Sequence, residues 1–161
     1  MNRRESLKQI LVASGALVTL PAWADSFTPN EQELLASVTD TIIPQGNGIG
    51  ALSVATDKYV GRLIDNCLET DVQDNVKKQL AALNASASAA HGKNFAQCSQ
   101  KEREALLLRF NDSSDKAEKD FFTLMKSETI RGFNTSREVM LQHLKYKIAP
   151  GHYYGCVDVK S

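Results

Sequence analysis

Four times between residues 25 and 161 a hydroxyl residue stands three positions ahead of a glutamate or glutamine, and apolar residues at helical spacing follow each time. The four sites are Thr28-Pro29-Asn30-Glu31, Thr70-Asp71-Val72-Gln73, Ser99-Gln100-Lys101-Glu102 and Thr135-Ser136-Arg137-Glu138. In such a capping box the hydroxyl accepts a hydrogen bond from a free backbone N–H of the first turn. The acidic or amide side chain reaches back to the cap N–H. Pro29 strengthens the first site, because its fixed φ suits the first helical position. A chain punctuated this way is committed to helices.

The periodicity fills in the rest. A first helix is predicted from about Pro29 to Thr41, with Leu34, Leu35, Val38 and Ile42 on one stripe. A second is predicted from about Val54 to Leu68, burying Val60, Leu63, Ile64, Cys67 and Leu68. A third follows Thr70 with Val72, Val76, Leu80 and Leu83, and fades into the weakly patterned run Ala85–Ala90. A fourth follows Ser99 and carries Leu106, Leu107 and Phe110. A fifth, from about Ser114 to Gly132, carries Phe121, Phe122, Leu124 and Met125, with Phe133 near its end. A short sixth follows Thr135 with Val139, Met140, His143 and Leu144. No segment alternates as a strand would, and Val157-Asp158-Val159 is too short to count. The expected fold is all-α: a compact bundle of five to six helices with an irregular C-terminal tail. The segments Pro44–Gly50 and Ala149–Cys156 are rich in turn formers and read as irregular.

The first 24 residues read as a separate unit, an export signal over 1–24, with a single helical domain over 25–161. Met1 to Lys8 holds Arg3, Arg4 and Lys8; an apolar stretch runs from Ile10 to Leu20; Ala22-Trp23-Ala24 closes it. A basic start, a short apolar middle and a small-x-small end make a secretory signal. The apolar part is about half the ~20 residues a membrane-spanning helix needs. The Arg3-Arg4 pair with Leu7 and Lys8 resembles the twin-arginine signal, which exports folded proteins, while Asn2 and Ser6 depart from its usual pattern and leave the general secretion route open. Ala22 and Ala24 would fit the peptidase. No cysteine follows Ala24, so no lipid anchor is expected there, and the cleaved chain would have no membrane anchor of its own. The predicted location is the periplasm.

Composition excludes several function classes. Lysines plus arginines number 19, as do aspartates plus glutamates, so nothing electrostatic favours nucleic acid as a partner. The 42% hydrophobic and 24% charged content is that of a soluble globular domain, neither disordered nor polytopic. The search for catalytic chemistry finds little. His91, His143 and His152 stand far apart, no Cys-x-x-Cys exists, and the haem-attachment pattern Cys-x-x-Cys-His is absent. Gly46, Gly48 and Gly50 follow no strand, which the dinucleotide fingerprint requires, so they read as a turn. No catalytic, cofactor-binding or metal-binding residue is predicted in this chain.

Three cysteines are an odd number for an oxidising compartment. Cys67, on an apolar helix face, reads as a buried thiol. Cys156, near the C-terminus, reads as accessible and could form a disulfide with another subunit. An internal bond, Cys98–Cys156 or Cys67–Cys98, is the alternative. Phe133, Tyr153 and Tyr154, placed in loops by this reading, are candidate anchors for a partner, because large rings dominate binding hot spots.

Four stretches together resemble a known family. They are the signal around Arg3-Arg4; Thr41-Ile42-Ile43-Pro44 with its Gly-rich turn and the helix through Val60 and Ile64; Phe121–Lys126 continuing to Gly132-Phe133-Asn134-Thr135-Ser136; and Tyr146 with Pro150–Cys156. In order and spacing they resemble the small subunit, subunit 3, of gluconate 2-dehydrogenase. The turn after Pro44 departs from it, with Gln45-Gly46-Asn47-Gly48 where the family more often has a threonine and a Pro-Gly-Ala sequence. The resemblance implies a non-catalytic subunit. Its expected partner is a large flavoprotein of the glucose–methanol–choline type that binds FAD and oxidises the sugar, with a cytochrome c subunit carrying haem c as a further partner. It implies that the small subunit carries the export signal and assists maturation and export of the large one. Ile42, Ile43, Pro44, Phe133, Tyr153, Tyr154 and Cys156 are the expected partner interface. The competing expectation is a stand-alone periplasmic helical protein that binds a ligand or acts as a small enzyme.

Overall fold

A computed structural model describes residues 27–46, 48–147, 149 and 151. They form five α-helices: α1 (Pro29–Ile42), α2 (Thr56–Cys67), α3 (Thr70–His91), α4 (Gln100–Asp112) and α5 (Lys116–Asn134). Short 3₁₀ turns at Leu52–Val54 and Phe95–Gln97 and a π-type turn at Val139–His143 complete the order, with no strand among the described residues.

Two of the four capping boxes form as the sequence predicts. Thr28 and Glu31 exchange both bonds at the start of α1, and Ser99 and Glu102 do so at the start of α4. The other two do not. Glu69 takes the extended cap conformation ahead of α3, which puts Thr70 inside the helix. Gln73 then reaches backwards, and its Nε2 donates to the Leu68 carbonyl at 2.9 Å and the Asp65 carbonyl at 3.3 Å. It therefore covers carbonyls left open at the end of α2, across a link of only Leu68 and Glu69. Thr135 continues the last turn of α5 and donates to the Arg131 carbonyl at 2.8 Å, so Ser136 takes over the capping and accepts from the Val139 N–H at 3.4 Å.

Other boundaries also move. α2 begins at Thr56, two residues later than predicted, because the Leu52–Val54 turn ends on Ala55 in the left-handed region at φ 54°. α5 begins at Lys116, where Asp115 accepts from the Ala117 N–H at 2.9 Å. The Ala85–Ala90 run does not fade. It continues α3 to His91, since alanine is the best helix former and needs no amphipathic pattern to stay helical. Gly92, at φ 65°, ends the helix by donating its N–H to the Ser88 carbonyl. Cys67 is exposed, not buried: it sits in the last turn of α2, past Ile64, the last residue of that helix in the core.

α1 is the central helix. It packs against all four others, and Leu34, Leu35, Ser37, Val38, Thr39 and Thr41 are all buried. Polar residues are tolerated there because each hydroxyl donates to its own helix: Ser37 to Glu33 O (2.8 Å), Thr39 to Ala36 O (2.8 Å), Thr41 to Ser37 O (2.6 Å). Around α1 close Val60 and Ile64 of α2, Val76, Leu80 and Leu83 of α3, Leu106, Leu107 and Phe110 of α4, and Phe121 and Met125 of α5. The α4 box carries a pH signature. Glu102 Oε2 accepts from the Ser99 N–H at 2.7 Å and its hydroxyl at 2.8 Å. The Ser99 backbone bond, then the hydroxyl bond, then the nearby His91 and Lys93, hold this carboxyl below the usual carboxylate range. A carboxylate whose pKa falls on folding adds stability above its unfolded pKa, and that is lost as the pH falls through the folded value. Glu102→Gln should therefore melt earlier than the parent at pH 7. The difference should close as the pH is taken down from roughly 4, the ordinary glutamate range. Ser99→Ala should cost about 1 kcal/mol at pH 7. Thermal melts across that range check both, and a gap that persists unchanged at low pH would rule out the charged cap as its origin.

Candidate functional site

One end of the bundle gathers the described residues the sequence singles out. Ile42 and Ile43 are half-buried at the end of α1 and Pro44 is exposed. The loop they open is pinched shut: the Ala51 N–H donates to the Ile43 carbonyl at 3.0 Å. Gly50 closes the neck, where a Cβ would lie 2.7 Å from the Gln45 Cα and N, closer than real Cβ atoms come. Leu52 stands 44% exposed on the far limb of the loop.

Two side chains of α4 bind this end of α1. Gln100 Nε2 donates to the Thr41 carbonyl at 3.0 Å, and Arg103 meets Asp40 at 2.8 Å, a mostly sheltered ion pair with side chains 13% and 23% exposed. From the other side, Tyr59 of α2 lays its ring directly on Gly132 of α5. Phe133 is the next residue. It is half-buried in the last turn of α5, in keeping with its place near the end of the fifth predicted helix and not with the loop expected for it alongside Tyr153 and Tyr154. The helix runs two residues past its predicted end at Gly132, because Thr135 still closes on Arg131.

Past α5 the chain makes a ledge. Val139 is buried, the Leu144 N–H donates to the Val139 carbonyl at 3.0 Å, and the Tyr146 N–H donates to the Met140 carbonyl at 2.9 Å. Lys145 lies between them in the left-handed region at φ 51°. The predicted sixth helix is present but short, spanning 137–143 with its last five residues in the π-type turn, and of its expected apolar stripe only Val139 is buried. Leu141, Leu144 and Tyr146 stand 51%, 59% and 51% exposed.

The remaining candidates fall elsewhere. Arg3, Arg4, Ala22, Ala24, His152, Tyr153, Tyr154 and Cys156 lie outside the described residues. Cys98 is buried, with its thiol donating to the Asn94 carbonyl at 3.5 Å, and it is not bonded to Cys67. His143 is exposed. His91 Nδ1 lies 3.5 Å from Glu102 Oε1, but the other oxygen of that carboxylate is occupied by the α4 cap, so the pair belongs to the helix junction. Among the described residues no three of His, Cys, Asp and Glu gather where they could hold a metal ion, and no helix is long and apolar enough to cross a membrane. A groove of about 160 Å³ between α1 and α2 is lined by Phe27, Gln32, Leu35, Gly61, Arg62 and Asp65. A wider dish between the starts of α3 and α5 is bordered by Asp71, Asp115, Lys116 and Asp120.

Residues 29–151 match the family model of gluconate 2-dehydrogenase subunit 3. The chain belongs to this family. No curated protein and no solved structure matches it. The match starts on the first residue of α1 and ends beyond Tyr146, so the five helices, the pinched loop and the ledge all lie inside it. A subunit of this family is part of a gluconate 2-dehydrogenase complex, so other subunits must cover some of its surface.

Sequence reasoning missed three features of this end: the Tyr59–Gly132 contact, the Gln100 and Arg103 ties to α1, and the exposure of Leu141 and Leu144. A glycine one turn from the end of a strongly patterned helix was the available signal for the first. The ties join residues 59 and 63 positions apart and carry no local signature.

Proposed function

We propose that this chain is the non-catalytic small subunit of a periplasmic, FAD-dependent sugar or gluconate dehydrogenase. In this reading it carries the twin-arginine signal and assists maturation, export and stability of the catalytic flavoprotein. The observation that carries the reading is the family match over the helical body, joined to the Arg3-Arg4 signal just before it. A chain that supplies an export signal to a folded partner needs to bind that partner before crossing the membrane.

FAD belongs to the partner in this reading, and haem c to a cytochrome subunit. The residues here suit a flavin poorly. The α1–α2 groove, at about 160 Å³, is below the roughly 300–1,000 Å³ of ordinary ligand sites. The wider dish sets Asp71, Asp115 and Asp120 against Lys116, which is itself paired with Asp120, so its lining stays net negative and disfavours a pyrophosphate.

The test is co-purification from periplasm through a tag placed after Ser161, with and without Arg3-Arg4→Lys-Lys. The expected result is a flavin-containing subunit recovered with the parent chain and absent from the periplasm with the variant. Recovery of the chain alone, with the flavoprotein exported normally in both strains, would overturn the reading.

A further inference from the structure

We infer that the ledge after α5, formed by Leu141, Leu144 and Tyr146 with Arg137, Lys145 and Lys147 around it, is the surface that docks the flavoprotein subunit, on an apolar patch rimmed by carboxylates. The inference rests on the subunit reading above and assigns it a place.

Three observations lead here. First, the ledge holds three of the six large apolar side chains that stand most exposed among the described residues, within six consecutive positions. The other three, Leu52, Leu108 and Ile130, are spread over separate elements. Second, the backbone is built to present them. A five-residue π-type turn, closed by the Leu144 bond to Val139, leads into Lys145 at φ 51°. A non-glycine residue in that region is uncommon and carries strain. Val139 anchors the turn in the body while Leu141, Leu144 and Tyr146 face out. Third, the ledge is charged with one sign: Arg137, Lys145 and Lys147 are exposed, against Glu138 alone.

These features choose between occupants. A second copy meeting this one through the same patch would set the three cations against their own symmetry mates, since a two-fold interface pairs a patch with itself. A lipid surface calls for an extended amphipathic helix, and here the helical segment, 137–143, is seven residues long. The chain's family places it among subunits of a dehydrogenase, so a protein partner exists and must cover part of this body. Apolar anchors ringed by lysine and arginine fit a partner patch that is apolar at its centre and acidic at its edge.

The experiment uses the full chain co-expressed with the flavoprotein subunit, with Leu141→Lys/Leu144→Lys as the ledge variant and Leu108→Lys as the control. Leu108 is 48% exposed on α4, away from the ledge. Affinity is read by light scattering on the purified mixture, and folding by the melt of each chain alone. The ledge variant should melt like the parent and bind at least about 100-fold more weakly, since central apolar anchors carry most of an interface's energy. The control should bind like the parent. Parent-like binding by the ledge variant would overturn this placement and leave the subunit reading standing. Failure of the parent itself to bind would overturn both. A clearly earlier melt of the isolated ledge variant would mean the chain's own residues cover the ledge. Concentration-dependent pairing of the isolated parent that the variant loses would make the occupant a second copy. Either result overturns the proposal.

Discussion

Phe121→Ala should cost the bundle about 3–5 kcal/mol, the range for deleting a large buried ring. Phe121 has no exposed surface, and its ring lies 6.0 Å from that of Phe110, tilted by 60°. It comes from α5, which packs on all four other helices, so the cavity would open among elements held in place from several sides and unable to collapse. Domains of this size are typically stable by roughly 5–15 kcal/mol, so the loss is a large share of the whole. Phe122 is the internal control. It is half-buried, with the Lys126 ammonium 5.9 Å from its ring centre. Phe122→Ala should cost about 1 kcal/mol, near the centre of ordinary substitutions. Urea denaturation of the two variants at constant pH compares them directly. Equal losses would mean that Phe121 is not the interior residue its burial indicates.

Gly132→Ala should destabilise by up to about 2 kcal/mol although alanine is the better helix former. In a helix interior alanine gains about 1 kcal/mol over glycine. Here the new methyl would overlap the Tyr59 ring at Cδ1 and stand 2.9 Å from Cε1. Overpacking of this kind costs about 1–3 kcal/mol. Truncating the ring should reverse the sign, so Gly132→Ala placed on Tyr59→Ala should be neutral or stabilising. The coupling between the two sites should fall within the 0.5–3 kcal/mol seen for residues in contact. Additive losses in that cycle would show that the ring swings aside freely. Because Phe133 follows Gly132 and α2 begins beside the pinched loop, the same contact sets how that loop sits against the end of α5.

The helical body was legible because its signals are local. Leu34, Leu35 and Val38, or Phe121 and Met125, repeat at helical spacing within one or two turns, and the core is built on them. Two capping boxes were legible for the same reason. The Thr70 box failed because the two-residue link after α2 leaves open carbonyls within reach of Gln73, a demand set by the preceding helix. The Ala85–Ala90 stretch hid its helix because small side chains give propensity without pattern. Cys67 was misplaced because periodicity assigns a residue to a face but not to a depth along the helix. The ledge follows the same rule: spacing predicts the short sixth helix, but it cannot tell a packed helix from one anchored by Val139 alone, with Leu141 and Leu144 facing solvent. The family was legible through stretches that the match over 29–151 includes, from the Ile42–Pro44 loop to the Gly132–Ser136 segment and Tyr146.

Phe27 gives the bundle a ruler. Its ring is 4% exposed, it belongs to the core, and the Lys77 ammonium lies 5.6 Å from its centre. If a peptidase cuts after Ala24, only Asp25 and Ser26 separate the cut from this anchor. Fully stretched, that span is about 10 Å, three residue lengths. A protease that must thread its substrate as an extended strand would then meet the folded body almost at once. Processing and docking of the first core residue would compete for the same few ångströms, so maturation would run at the rate at which Phe27 lets go.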